Sequence, residues 1–312
     1  MTPRLSLTLI TFAAEDPGSW EHLVERVQAA DLAGLDRVAL SDHVAFGENL
    51  EAYGDPKAGG TAGGRQPTGP DGHWLDPLAT IAHLTAVTTN LRFATNILIA
   101  ALRRPAVLAK TLSTIDVLSG GRIDLGVGVG WQREEYEACG LDYDDRGAQL
   151  DHTLEVLQTL WRDERATYES DRLSFDGIHQ MPKPVQPGGI PIWVSGTVNK
   201  RSMRRLARFG SGWIPWGPDA ADLADAIPRM RAAVEAHDRD PADIEVVANL
   251  PMAMDADGAV DLEATMATVP PLVEAGASDF RAMLRLANDA PDAQERIAEM
   301  VGVFRDAVGR DQ

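Results

Sequence analysis

Asp42-His43 directly follows the apolar run Val38-Ala39-Leu40 and Ser41, where a buried segment gives way to a polar one. An imidazole placed there can take up or release a proton near neutral pH, and strand ends are where α/β barrels keep their reactive groups. The same side chain could do no more than hydrogen-bond the adjoining loop, and position alone leaves both roles open. The other six histidines, His22, His73, His83, His152, His179 and His237, fall on helical segments or in long stretches that suit structural or solvated roles. No HxH ends a strand-like run and no HExxH occurs, so the histidines outline no metal site. The single cysteine, Cys139, excludes an internal disulfide framework and a thiolate metal cluster. Only four lysines are present, Lys57, Lys110, Lys183 and Lys200, and none ends a strand-like run, which argues against Schiff-base chemistry.

Three further places could meet a ligand. Gly126-Val127-Gly128-Val129-Gly130-Trp131 lacks the spacing and the early position of a dinucleotide fingerprint. Its glycines still let a flat or anionic group approach the main chain, and a helix starting after them offers free N–H groups; tight strand–helix packing would use glycine equally. Ser195-Gly196-Thr197 follows Ile192-Trp193-Val194 and precedes a helical segment, with Lys200 and Arg201 at the rim. Such a turn makes an anion site from amides and two hydroxyls, although an ordinary helix cap accounts for the hydroxyls as well. Two anion-competent turns together suggest a large phosphorylated cofactor. Asn96 interrupts the apolar run from Phe93 to Ile99, as a polar strand end or as a bulge that turns backbone toward a bound ring.

The elements that must position these groups alternate. Strand-like runs are Leu5–Phe12, Arg37–Leu40, Arg92–Ile99, Ile123–Val127, Pro191–Val194, Gly212–Ile214, Ile244–Asn249 and Asp279–Met283. Between them the periodicity predicts helices. Ser19 caps one that buries Leu23, Val27 and Ala30 and stops near Gly34. Others run over Pro77–Ala86, Pro105–Leu118, Arg146–Trp161, Lys200–Arg208, Ala220–His237, Leu262–Glu274 and Pro291–Val308. Eight strand–helix units in 312 residues predict one closed (β/α)8 TIM barrel spanning residues 1–312, in preference to an open doubly wound sheet. Glu51–Gly72 holds seven glycines and three prolines in 22 residues. It should be irregular and lie at the C-terminal mouth, either as a disordered excursion or as a lid over a substrate pocket. Trp161–Gly189 is a second long insertion.

Composition narrows the function. Forty-seven acidic against 29 basic residues leave a net charge of −18, which opposes binding to nucleic acid phosphates or an anionic membrane. No apolar run is long enough to span a bilayer, and the first residues carry no targeting pattern. A reduced, cytoplasmic enzyme is the expectation.

The chain resembles the luciferase-like monooxygenase superfamily, and within it the coenzyme F420-dependent oxidoreductases. The resemblance covers about Leu5 to Gly217. It rests on Ser41-Asp42-His43, Leu75-Asp76-Pro77-Leu78, the run Arg104 to Lys110, Leu118-Ser119-Gly120-Gly121-Arg122, and the run Leu125 to Trp131. It continues through Glu134-Glu135-Tyr136-Glu137, Pro182-Lys183-Pro184, Pro191-Ile192-Trp193-Val194 and Gly210-Ser211-Gly212-Trp213. The resemblance implies a (β/α)8 barrel with a tricyclic ring at the C-terminal mouth and its phosphate toward the later strands. Carried over by position, Asp42 and His43 lie beside the ring, with His43 the proton donor or stabiliser. Asn96-Ile97 matches a bulge that in the family often carries a non-proline cis peptide. Gly128, Gly130, Trp131 and Glu134 match the segment along the cofactor's ribityl and phosphate side, and Ser195, Gly196 and Thr197 the phosphate turn. The chain departs from the pattern at Ser195, where a second glycine is common, and at Ser211, where an acidic residue is frequent.

The resemblance therefore implies hydride transfer between F420 and a small organic substrate, because a 5-deazaflavin reacts poorly with oxygen. FMN-dependent oxygenation, supplied by a separate reductase, is the alternative. A barrel that merely sequesters a flavin is a third. The family often forms dimers, so a homodimer is consistent with it.

Overall fold

The structure is a computed structural model that describes residues 1–284, 286 and 290–310. Eight parallel strands close into a barrel: β1 Arg4–Thr8, β2 Arg37–Leu40, β3 Arg92–Thr95, β4 Ile123–Val127, β5 Ile192–Gly196, β6 Gly212–Pro215, β7 Glu245–Leu250 and β8 Asp279–Ala282. Each pairs with its neighbours in sequence, and β1 closes the ring against β8, with Leu5 opposite Phe280. Both faces of the strands are covered, which is why β2 and β4 are buried at every position and are mostly apolar, apart from Arg37 and Asp124. The (β/α)8 expectation is met.

The helices α1 Glu21–Leu32, α2 Pro77–Thr85, α3 Pro105–Ser119, α4 Arg133–Ala138, α5 Arg146–Arg162, α6 Lys200–Phe209, α7 Pro218–Ala221, α8 Leu223–Glu235, α9 Leu262–Met266, α10 Val269–Ala275 and α11 Ala290–Val308 surround it. Local chemistry sets their ends. Asp76 accepts a hydrogen bond from the Ala79 amide at 2.9 Å, and Pro77 fills the first turn of α2, where no donor is needed. α3 stops at Gly120, whose φ of 68° suits glycine. Trp20, not Ser19, occupies the cap position of α1; the Ser19 hydroxyl reaches only the Glu21 amide. The segments expected as single helices over 220–237 and 262–274 each divide in two. Asp222 caps a new start at α8, and Pro270 brings no donor to continue α9 into α10.

Two strands are shorter than their apolar runs. After β1 the chain leaves the barrel, and Phe12–Ala13 pairs antiparallel with His73–Trp74. β3 ends at Thr95, just before the cis Asn96-Ile97 peptide; Leu98 then rejoins β4 as a single bridge to Val127. The insertion at 161–189 contains an antiparallel hairpin, Ala166–Glu169 with Ser174–Ile178, that its composition did not reveal. At the strands' N-terminal end Arg37, the first residue of β2, pairs with Asp124 at 2.9 Å and with Asp279, and all three are almost fully buried. This ion cluster plugs the barrel floor and leaves the mouth as the end where a ligand can enter.

Candidate active site

Asp42 and His43 follow β2 at the mouth, and the structure gives them different tasks. Asp42 is 4% exposed and its carboxylate is fully engaged. The Ile99 amide donates to it at 2.8 Å, and Arg103 closes on both oxygens at 2.6 and 2.9 Å. Burial pushes the Asp42 carboxyl up, against the pull of Arg103. Arg103 also grips Asp76 at 2.9 Å, so Asp42 anchors the segments after β2 and β3 and the start of α2 to one another.

His43 stands in an aromatic surround. Phe46 lies 4.3 Å from it between ring centroids, Trp74 5.0 Å and Trp131 5.9 Å, the last two edge-on. Its Nδ1 is 3.3 Å from Oε2 of Glu135, which is fully buried. Among the described residues its Nε2 has no protein partner, although the side chain is only 9% exposed. Glu135 was missed as a site residue. Of the adjacent pair Glu134-Glu135, sequence reasoning named Glu134. The six-residue α4 turns Glu135 and Tyr136 inward and leaves Glu134 half-exposed over Gly47, where a Cβ would come within 2.5 Å of it.

The glycines in and just after β4 serve the neighbouring strand. A Cβ on Gly126 would lie 2.0 Å from the Thr95 carbonyl oxygen, and one on Gly128 2.9 Å from the Ile97 side chain. Both let this stretch close on the segment from Thr95 to Ile97, a packing use that the sequence reading did not foresee. Gly130 faces Ile99. Asn96 is half-buried; its backbone amide donates to Leu40 at 2.6 Å, and its carboxamide has no protein partner among the described residues. Trp131 is 5% exposed, and its indole N–H is buried without an acceptor among the described residues.

The Ser195–Thr197 turn is more self-satisfied than its sequence implies. Gly196 adopts a φ of 148°, and its carbonyl accepts from the Trp213 indole. The Asn199 side chain caps α6 by accepting from the Arg201 and Ser202 amides at 3.0 and 3.1 Å, so these are not free for an anion. Asp219 takes the Val198 amide at 2.6 Å. Among the described residues, the Thr197 and Asn199 amides and the Ser195 hydroxyl remain unpartnered, with Lys200 and Arg201 exposed beside them.

The glycine-rich segment is ordered over this mouth. It opens with a 3-10 turn at Leu50–Gly54. Tyr53 then packs 5.5 Å from Trp131 and 6.4 Å from Trp216. Trp216 donates its indole N–H to Gly60 at 2.9 Å, and the Tyr143 hydroxyl reaches the Ala58 carbonyl. These contacts hold the segment across the strand ends. The remaining histidines stand apart; His152, for instance, meets the Tyr168 hydroxyl at 3.1 Å beside the outer hairpin. No group of three His, Cys, Asp or Glu side chains among the described residues is arranged to hold a metal.

A planar cofactor suits this mouth. Among the described residues, the Asn96 carboxamide, the Trp131 indole N–H and His43 Nε2 have no protein partners, and such groups in a half-buried site call for a ligand or ordered water. The tail end offers fewer donors than expected.

The profile of the luciferase-like monooxygenase family matches residues 5–311, well past Gly217 where the motif resemblance fades. An uncharacterized protein of Mycobacterium tuberculosis (strain ATCC 25618 / H37Rv) is 33% identical over 166 residues, 53% of this chain; the match spans 58% of that relative's length. The F420-dependent glucose-6-phosphate dehydrogenase of Kineococcus radiotolerans is 27% identical over 275 residues, 85% of this chain and 74% of its own. Among solved structures, an F420-dependent secondary alcohol dehydrogenase in complex with an F420-acetone adduct superposes with a TM-score of 0.75 at 17% identity, over 98% of this chain and all of its own. With barrel, mouth and near-complete profile in agreement, the chain belongs to the luciferase-like monooxygenase family.

Proposed function

We propose that this oxidoreductase transfers hydride between coenzyme F420 and a small organic substrate, with His43 handling the substrate's proton. The observation that carries the reading is His43 itself: a nearly buried imidazole after β2, held at Nδ1, with Nε2 unpartnered. The F420-dependent relative and structural neighbour support the choice of cofactor. When bound, the deazaflavin supplies a hydride donor or acceptor at a ring carbon.

The chain's own residues do the rest. Asn96-Ile97 and the Gly128 backbone would back the ring, and Trp131 would offer its indole N–H along one side. Gly130 and Glu134 would lie toward the same side, and Ser195, Gly196 and Thr197 would meet the anionic tail through the Thr197 amide and the Ser195 hydroxyl. Asp42 acts indirectly, by fixing through Arg103 the loop that carries His43. The segment over the mouth excludes water, which strengthens electrostatic interactions inside. His43 Nε2 would give or take the substrate's proton there.

The test is His43→Ala. Turnover with F420 should fall by about 10²–10⁴, the usual contribution of a positioned acid–base group, while F420 affinity changes little. Wild-type turnover in the variant would remove His43 from the mechanism.

A further inference from the structure

We propose that Glu135 is a positioning residue that keeps a proton on His43 Nδ1 and so makes Nε2 the nitrogen at which this imidazole gains and loses its proton. The inference rests on the reading of His43 as the site's proton-handling group.

A backbone N–H can only donate, and an ionised carboxylate can only accept. The Val44 amide donates to Glu135 Oε1 at 2.5 Å, with the Ala45 amide at 3.5 Å from the same oxygen. That bond fixes the rotation of the carboxylate and leaves Oε2 facing His43 Nδ1 at 3.3 Å. An acceptor at Oε2 requires a hydrogen on Nδ1. In the neutral ring, Nε2 is then bare; in the imidazolium, the proton on Nε2 is the one without a carboxylate to hold it. Glu135 is fully buried, so no water competes for the bond. The other nearby carboxylate, Asp42, is closed off by Arg103 and the Ile99 amide. A buried carboxylate behind a working histidine sets its tautomer in the same way that outer-shell carboxylates orient metal-bound imidazoles.

The same geometry makes Glu135→Gln an inversion of the site. The Val44 amide still needs an acceptor, so the carboxamide oxygen stays at the Oε1 position. The NH2 group then takes the place of Oε2 and donates to Nδ1. The ring must answer by carrying its proton on Nε2. A change of one atom thus converts Nε2 from acceptor to donor without altering side-chain shape.

The experiment is a long-range 1H–15N spectrum of the full chain labelled with 15N-histidine, recorded above the ring's titration without cofactor or substrate, with His43 assigned by the signal missing in His43→Asn. The account expects a protonated-type Nδ1 and a bare-type Nε2 in the wild type, and the reversed pattern in Glu135→Gln at an unchanged melting temperature. A wild-type ring protonated on Nε2 overturns the proposal by itself, whether or not the variant folds. So does a folded Glu135→Gln with the wild-type pattern. Because the spectra involve no cofactor, failure of F420 to bind leaves this inference standing, and a wrong tautomer in a protein that binds F420 removes only the role of Glu135.

Discussion

Trp216 and Gly60 are joined by an indole N–H to carbonyl hydrogen bond of 2.9 Å, which ties the residue after β6 to the glycine-rich segment that follows β2. Tyr53 of the same segment packs against both Trp131 and Trp216. Two far-apart strand ends are therefore bridged over the mouth by 22 residues whose composition alone leaves a disordered excursion and a lid equally open.

Trp216→Phe keeps the ring but removes the donor, a loss of about 1 kcal/mol for a neutral hydrogen bond. If opening of the segment exposes it to protease, trypsin should cut the variant at the exposed Lys57 and Arg65 roughly fivefold faster, since cleavage follows the open population when reclosing is fast. A time course read by mass spectrometry checks this. Equal cleavage rates would show that the indole bond does not hold the segment down.

The barrel floor gives a prediction in pH. Burial pushes the Asp124 carboxyl up, but Arg37 at 2.9 Å and Arg92 at 2.6 Å outweigh it and hold the group below its ordinary range. A carboxyl whose folded value is depressed contributes stability that is complete above its unfolded value, about 3.9, and is lost as pH falls through the folded one. Asp124→Asn should therefore cost about 3–5 kcal/mol at pH 7, because it strands buried guanidinium charge. Urea titrations should also show a shallower loss of stability below about pH 4 in the variant than in the wild type. Identical acid limbs would mean that Asp124 gains nothing from its arginines.

The barrel was legible because its strands are short apolar runs and its helices carry Pro at their starts and Gly at their ends, as at Pro77, Pro105 and Gly120. Local signals failed where tertiary contacts decide. Phe93 to Ile99 reads as one strand, yet only packing against Gly126 and Gly128 shows where it bends. Arg37 and Asp124 interrupt apolar strands for partners 87 residues apart, which no window along the chain can connect. In the site, His43 and Asp42 announce themselves by following a strand. The choice between Glu134 and Glu135 depends on how a single short helix is turned, and adjacent identical residues carry no signal for that. The amides just beyond the Ser195–Thr197 turn are hidden for a related reason: Asn199 and Asp219, which occupy those of Arg201, Ser202 and Val198, read in sequence as ordinary polar residues.

The most direct measurement of the central claim is a fluorescence titration of the purified protein with F420 and, separately, with FMN. The account predicts saturable one-to-one binding of F420, weaker binding of FMN, and a rise in melting temperature with F420, as for any ligand that binds only the folded state. Tight binding of FMN without F420 would contradict it and point to flavin-dependent oxygenation; binding of neither would remove the redox ring from the barrel mouth.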